Sequence, residues 1–233
     1  MKLLKIQFAE ELYELSKLLF DNRCMKIISD KYLIAILIIF HLVGLVGLLL
    51  PDFKNLILSL SFLNLLLAFF VLLLAEKENI GLLIRFLFLA FIIGFGAELI
   101  GVHTGLLFGN YSYGESLGPK LWDVSIVIGI NWGVLTVTAA SITYRMNLPT
   151  SIKLLINALI LVVFDFVMEP VAMKNDFWSW ENNTIPFYNY VCWFFVALIL
   201  QLIYTIIRKP YSNKVFNALF FIQFVFFIIL NFR

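Results

Sequence analysis

Three acids and a histidine lie inside apolar stretches long enough to cross a bilayer: Glu98, His103, Asp165 and Glu169. Ionisable groups in such stretches are costly, and a functional role is the default reading for them. Two of the acids open a phrase that occurs twice: acid, twelve residues, aromatic-Ser-aromatic, five residues, Pro. It runs from Glu98 through Tyr111-Ser112-Tyr113 to Pro119, and again from Asp165 through Trp178-Ser179-Trp180 to Pro186. A matched pair suggests two half-sites that face each other.

Asp165 and Glu169 are four residues apart and share a helix face. Like charges that close in a low dielectric do not both ionise easily, so one carboxyl is expected to hold its proton, as a general acid must. The alternative is that Asp165 caps a broken helix or pairs with an Arg or His. Pro170 directly follows Glu169, so the helix is expected to kink or end there. Glu98 is read as catalytic or as hydrogen-bonded to a polar group on another span. Gly101, Gly105 and Gly109 lie near its face and read as a surface for close approach of a neighbouring helix. His103, five residues from Glu98, points elsewhere on an unbroken helix and reads equally as catalytic or interfacial. His41 reads as a hydrogen-bonded bundle residue, and Asn157, eight before Asp165, as the possible end of a polar stripe.

Carboxylic acids beside electron-rich rings suit acid-catalysed chemistry on an apolar substrate. A carboxyl adds a proton to an alkene, giving a tertiary carbocation. Aromatic faces stabilise that cation, as does a second carboxylate. Capture by water gives a tertiary alcohol, and capture by an internal double bond gives a ring. A membrane carrier in which the acids relay protons is the non-enzymatic alternative.

These residues need a membrane scaffold. The 233-residue chain is 62% hydrophobic and 14% charged, with mean hydropathy +0.98, whereas soluble domains carry about 25% charged residues. Apolar runs near the ~20 residues that span a bilayer recur at about 32–50, 55–75, 81–107, 122–144, 152–172, 188–207 and 215–231. The expected fold is all-α, with seven transmembrane helices forming one domain over residues 31–233. Spans three-four and five-six form a parallel internal repeat, with a pseudo-two-fold axis along the membrane normal. Residues 1–30, with Phe8, Leu12, Leu15 and Leu19 at helical spacing, read as an amphipathic helix on the membrane surface.

With the N-terminus inside, thirteen Lys and Arg fall on the inner side and four on the outer (Lys54, Lys120, Lys174 and Arg233). This is a positive-inside bias, and it places the N-terminus in the cytoplasm and the chain in the cell (inner) membrane. The net charge of +2 comes from that asymmetry and gives no hint of nucleic-acid binding. Glu98, Asp165 and Glu169 then fall in the outer half. Asn131 and Trp132 lie about nine residues into span four, and Trp193 near the outer end of span six. Nearly every costly polar residue is thus expected in one half of the membrane. No Cys/His cluster, Walker loop or strand-associated GxGxxG is present, so no metal or nucleotide is implied.

The stretch from Glu98 through Gly101, His103, Gly105, Phe108 and Gly109 to Tyr111-Ser112-Tyr113 resembles the first signature of the bacterial and archaeal carotenoid hydratases. Pro119 and Trp132 continue it. Asp165 through Glu169-Pro170-Val171-Ala172, then Trp178, Trp180, Pro186, Asn189 and Trp193, resembles the second, although Glu169-Pro170 stands where an Asp-Pro-like pair is expected. The resemblance covers spans three to six, about 95 residues. It implies cofactor-free hydration of the terminal isopropylidene double bond of an acyclic carotenoid end. The partners would be a carotenoid, water, membrane lipid and other enzymes of carotenoid biosynthesis. The site residues it implies are Glu98, Asp165, Glu169 and His103 for the chemistry. Trp132, Trp178, Trp180 and Trp193 would hold the polyene end, with Tyr111 and Tyr113 at the mouth and Asn131 and Asn189 also binding the substrate. A lycopene-type cyclase would share the protonation and stays open.

Overall fold

A computed structural model describes residues 28–232, in which seven helices are long and apolar enough to cross a membrane. They are α1 (Asp30–Leu49), α2 (Pro51–Leu74), α3 (Ile80–Thr104), α4 (Ile126–Thr143), α5 (Thr150–Lys174), α6 (Phe187–Ile207) and α7 (Lys214–Asn231). The expected amphipathic helix over residues 1–30, and Cys24 within it, lie almost wholly outside the described residues.

Local chemistry sets the helix ends. Leu50 is held extended by the proline after it, and Pro51 opens α2, where its missing N–H costs nothing. The polar stretch Pro51–Lys54, between the first two apolar runs at 32–50 and 55–75, is therefore the first turn of α2. The Asn79 side chain caps α3 through the Leu82 N–H at 3.0 Å, and Asn213 caps α7 through Val215 and Phe216. Gly105, at φ +65°, ends α3 in the left-handed conformation that glycine adopts without strain. The helix does not end at Pro170: α5 continues to Lys174, and the Phe166 carbonyl loses its usual i+4 donor.

The central element is α4. Its apolar window is 78% buried, against 17–44% in the other six helices. It packs against α2, α3, α5, α6 and α7, while α1 lies outside against α2 and α7. Gly129 and Gly133 permit this, because an added Cβ would press on Phe91 and Phe95, or on Leu87.

Two short ribbons close the end of the bundle where α3 and α5 stop. Strands β2 (Lys120–Leu121) and β3 (Val124–Ser125) pair just before α4, displacing its start from the expected 122 to Ile126. Strands β1 (Tyr111–Tyr113) and β4 (Trp178–Trp180) join the two copies of the repeated phrase. They run antiparallel, with Tyr111 opposite Trp180, Ser112 opposite Ser179 and Tyr113 opposite Trp178. Equivalent residues thus meet in reverse order about the serine pair, as a local two-fold axis requires.

Candidate functional site

The aromatic-Ser-aromatic phrase is a strand pattern. Alternate residues of a strand face opposite ways, and directly opposed residues of a pair share a face. Tyr111, Tyr113, Trp178 and Trp180 therefore all project toward the bundle. Ser112 and Ser179 face outward, exposed, with their hydroxyls 3.2 Å apart.

Each half of the ribbon engages a carboxyl beneath it. Glu98 on α3 accepts from the Tyr111 hydroxyl (2.5 Å) and the Tyr113 hydroxyl (2.7 Å) on Oε2, and from Trp132 Nε1 on α4 (3.0 Å) on Oε1. Glu169 on α5 accepts from Trp178 Nε1 (2.9 Å) and Trp180 Nε1 (2.8 Å), both on Oε2. The Asn189 carboxamide on α6 donates to Asp165 Oδ2 (2.7 Å) and to Glu169 Oε1 (3.2 Å), tying the α5 acids together. Asp165 is wholly buried and its Oδ1 has no partner among the described residues.

Every donor in this cluster is neutral. Burial, and then the neighbouring Glu98 carboxyl, push the Tyr111 and Tyr113 phenols far above their usual range, so both remain donors. Among the described residues no lysine or arginine forms a salt bridge with Glu98, Asp165 or Glu169.

By contacts, the counterpart of Glu98 is Glu169, whereas by spacing it is Asp165. Glu98 and Glu169 both line a small cavity of about 30 Å³ with Tyr111, Tyr113, Trp132, Trp178, Trp180, Asn189 and Trp193; Asp165 does not. Trp132 and Trp193 overlap there at 4.1 Å between ring centroids, and Tyr111 lies 5.0 Å from Trp180. Asn131 also lines it, half-buried and without a side-chain hydrogen bond among the described residues. The structure thus gathers Glu98, Asp165, Glu169 and all eight aromatic and amide candidates. His103 is not among them: it is exposed, and its Nε2 contacts the Trp122 carbonyl at 3.1 Å.

The glycines near Glu98 admit the loop and not another helix. An added Cβ on Gly101 would lie 2.7 Å from the Tyr111 hydroxyl, so this glycine opens the path of that phenol to Glu98. Gly105 makes room for the Asn110 side chain, and Gly109, at φ +120°, for Pro186. Gly94, unremarked in the sequence reading, lies one turn before Glu98, where a Cβ would meet the Trp132 ring at 2.6 Å. Its place one turn from a buried acid is the signal that could have found it.

A second cavity of about 250 Å³ adjoins the first, the two sharing Ile128, Asn131, Met168 and Trp178. Its walls are mostly aromatic and aliphatic. Phe40, Val43, Leu60 and Leu63, which help line it, are 40–56% exposed on the outside of the bundle. It therefore opens sideways between α1 and α2, toward lipid rather than water. Together the cavities can admit an apolar chain from the side and present its end to two carboxyls.

The other half of the bundle is polar too, contrary to the expected clustering in one half. Asn157 bridges Thr143 (2.7 Å) and Gln201 (3.1 Å), and Arg208 pairs with Glu76 through two bonds of 2.7 and 3.1 Å. Asn157 thus ends no stripe toward Asp165.

The model of the family described as "Carotenoid biosynthesis protein" matches residues 54–232. A bisanhydrobacterioruberin hydratase of Haloarcula japonica is 29% identical over 118 residues, covering 47% of this chain and 40% of that relative. The chain thus matches well under half the length of that curated relative. No solved structure matches the chain. The matched range holds every residue of the carboxyl site and six of the seven membrane-length helices, α2 from its fourth residue through α7, and the chain belongs to the carotenoid biosynthesis protein family.

Proposed function

We propose that this protein hydrates the terminal isopropylidene double bond of an acyclic carotenoid end group, giving a tertiary alcohol. One observation carries the reading: Glu98 and Glu169, held by separate sets of neutral donors, line one cavity that adjoins an apolar cavity open to the side. The small cavity has room for about one water molecule, and Asn131 has free hydrogen-bonding capacity to hold it.

The polyene enters between α1 and α2 and sets its end against Trp132 and Trp193. The Asp165/Glu169 pair holds one proton, and Glu169, the member that lines the cavity, donates it to the less substituted alkene carbon. The π pair forms the new C–H bond, and the tertiary carbon becomes cationic. The indole faces and the Glu98 carboxylate stabilise that charge. Water, oriented by Asn131, forms the C–O bond and yields its surplus proton to Glu98. One proton has left Glu169 and one has reached Glu98, so proton return between the carboxyls restores the site. The charge bias of the loops supports a cytoplasmic N-terminus in the cell membrane, with the ribbon on the outer side.

Expression in a host that accumulates lycopene tests the reading. Hydration gives pigments heavier by one or two waters on mass analysis. An isomer of unchanged mass with a shortened chromophore would replace hydration by cyclisation.

A further inference from the structure

Away from the carboxyls, the larger cavity contains polar side chains that the proposed chemistry does not use. His41 on α1, Asn64 on α2 and Gln223 on α7 all line it. His41 and Gln223 are 6% and 4% exposed. Gln223 Oε1 and Asn64 Oδ1 are buried with no hydrogen-bond partner among the described residues. His41 Nδ1 is 2.8 Å from the Leu37 carbonyl, which makes Nδ1 the protonated nitrogen and leaves Nε2 as an acceptor without a partner.

Three helices thus bring unsatisfied polar atoms to one apolar space. Leaving a buried polar group unpaired costs about 1–3 kcal/mol each, and packing alone gives no return for the two buried amide oxygens of Asn64 and Gln223. They also lie deeper than the carboxyls. His41 and Gln223 are eight residues from the ribbon-side ends of α1 and α7, and Asn64 is thirteen from that end of α2; Glu98 and Glu169 are six and five from theirs. At 1.5 Å per residue this is roughly 12–20 Å of depth against roughly 8–9 Å.

Water alone is a poor occupant, because a cavity of about 250 Å³ with mainly apolar walls does not fill favourably with it. An apolar chain bearing a group that both donates and accepts hydrogen bonds fits better. A hydroxyl donates to one orphaned oxygen and accepts from an amide N–H. We infer that His41, Asn64 and Gln223 bind a hydroxyl carried on the isoprenoid chain whose end occupies the carboxyl site. The inference rests on the polyene substrate proposed above and narrows it to oxygenated isoprenoids.

The test is binding, read by quenching of tryptophan fluorescence in the purified full-length protein. Two polyenes of equal length are compared, one a hydrocarbon and one with a single hydroxyl away from the reacting end. The hydroxylated polyene binds about tenfold tighter, the equivalent of one well-made hydrogen bond. Gln223→Leu and His41→Phe, on separate helices, each bring the two dissociation constants within about twofold of each other. Because Gln223→Leu removes an unpaired group, its thermal midpoint stays level or rises. Equal affinities in the unaltered protein overturn the inference, as does a variant that weakens both polyenes alike. A variant that slows hydration of the hydrocarbon without changing either affinity would assign the group to water and also overturn it. Binding of neither polyene would remove the polyene reading itself.

Discussion

At the end of the bundle away from the ribbon, Glu76 meets Arg208 in a two-bond pair whose side chains are 0% and 3% exposed, with Tyr204 and Tyr211 beside the guanidinium. Nearby, Thr143 donates to Asn157, Asn157 to Gln201 and Gln201 to the Thr136 carbonyl, while Ser141 donates to Asn217. At the ribbon end, Glu98, Asp165 and Glu169 are also buried but meet only neutral donors, and Glu98 and Glu169 border a cavity. Charge answered by charge holds helices together. Charge answered only by phenols, indoles and an amide, with space for a reactant, is equipped to exchange protons. Burial does not separate the two regions; what the carboxyls face does.

The largest effect follows from removing a carboxyl at the ribbon end. We expect Glu169→Gln and Glu98→Gln each to lower product formation about 10²–10⁴-fold, the usual contribution of a positioned acid or base, with the thermal midpoint little changed. Pigment analysis and thermal denaturation in detergent check both halves of that statement. Glu76→Gln should do the reverse. It strands a buried guanidinium, and we expect a loss of about 3–5 kcal/mol of stability with turnover per folded molecule retained. A loss of turnover at full stability would erase the distinction between the two ends.

Gly94→Ala probes the link between helix packing and the site. Its Cβ displaces the Trp132 ring, and we expect overpacking of about 1–3 kcal/mol with a turnover loss of about tenfold from the weakened bond to Glu98. Trp180→Phe removes one of two donors to Glu169 Oε2, and we expect a similar or smaller loss, read in initial rates. His103→Ala lies last. The residue is exposed and, among the described residues, its side chain hydrogen-bonds a loop carbonyl alone, so we expect stability within about 0.5 kcal/mol and turnover within about twofold of the unaltered protein.

The seven spans are legible in sequence because apolar length is a direct demand of the bilayer. The repeated phrase is legible too, but that its two aromatic triplets pair as strands is not. Equal spacing, however, does not give equal depth. After Glu98, α3 has six residues left before it ends at Thr104, whereas after Asp165, α5 passes through Pro170 and has nine. The acid level with Glu98 is therefore Glu169, one turn nearer the ribbon, and it takes the tryptophan bonds. Sequence counting runs through loops whose path it does not record. Left-handed Phe108 and Asp176 and the close approach of Gly114 to Asp176 set that path. The glycines after Glu98 mislead for the same reason: helical spacing suggests a helix partner, but α3 ends at Gly105 and the chain folds back on itself. The polar group formed by His41, Asn64 and Gln223 has no sequence pattern, since its members come from three distant helices.

The most direct test of the central claim is the source of the product's oxygen. Purified protein is supplied with an acyclic polyene in heavy-oxygen water, and the pigment is analysed by mass. The account predicts one heavy oxygen for each hydrated end, formed by the unaltered protein and absent from an equally folded Glu169→Gln variant. Labelled alcohol formed at the same rate by that variant, or none formed by the unaltered protein, would contradict it.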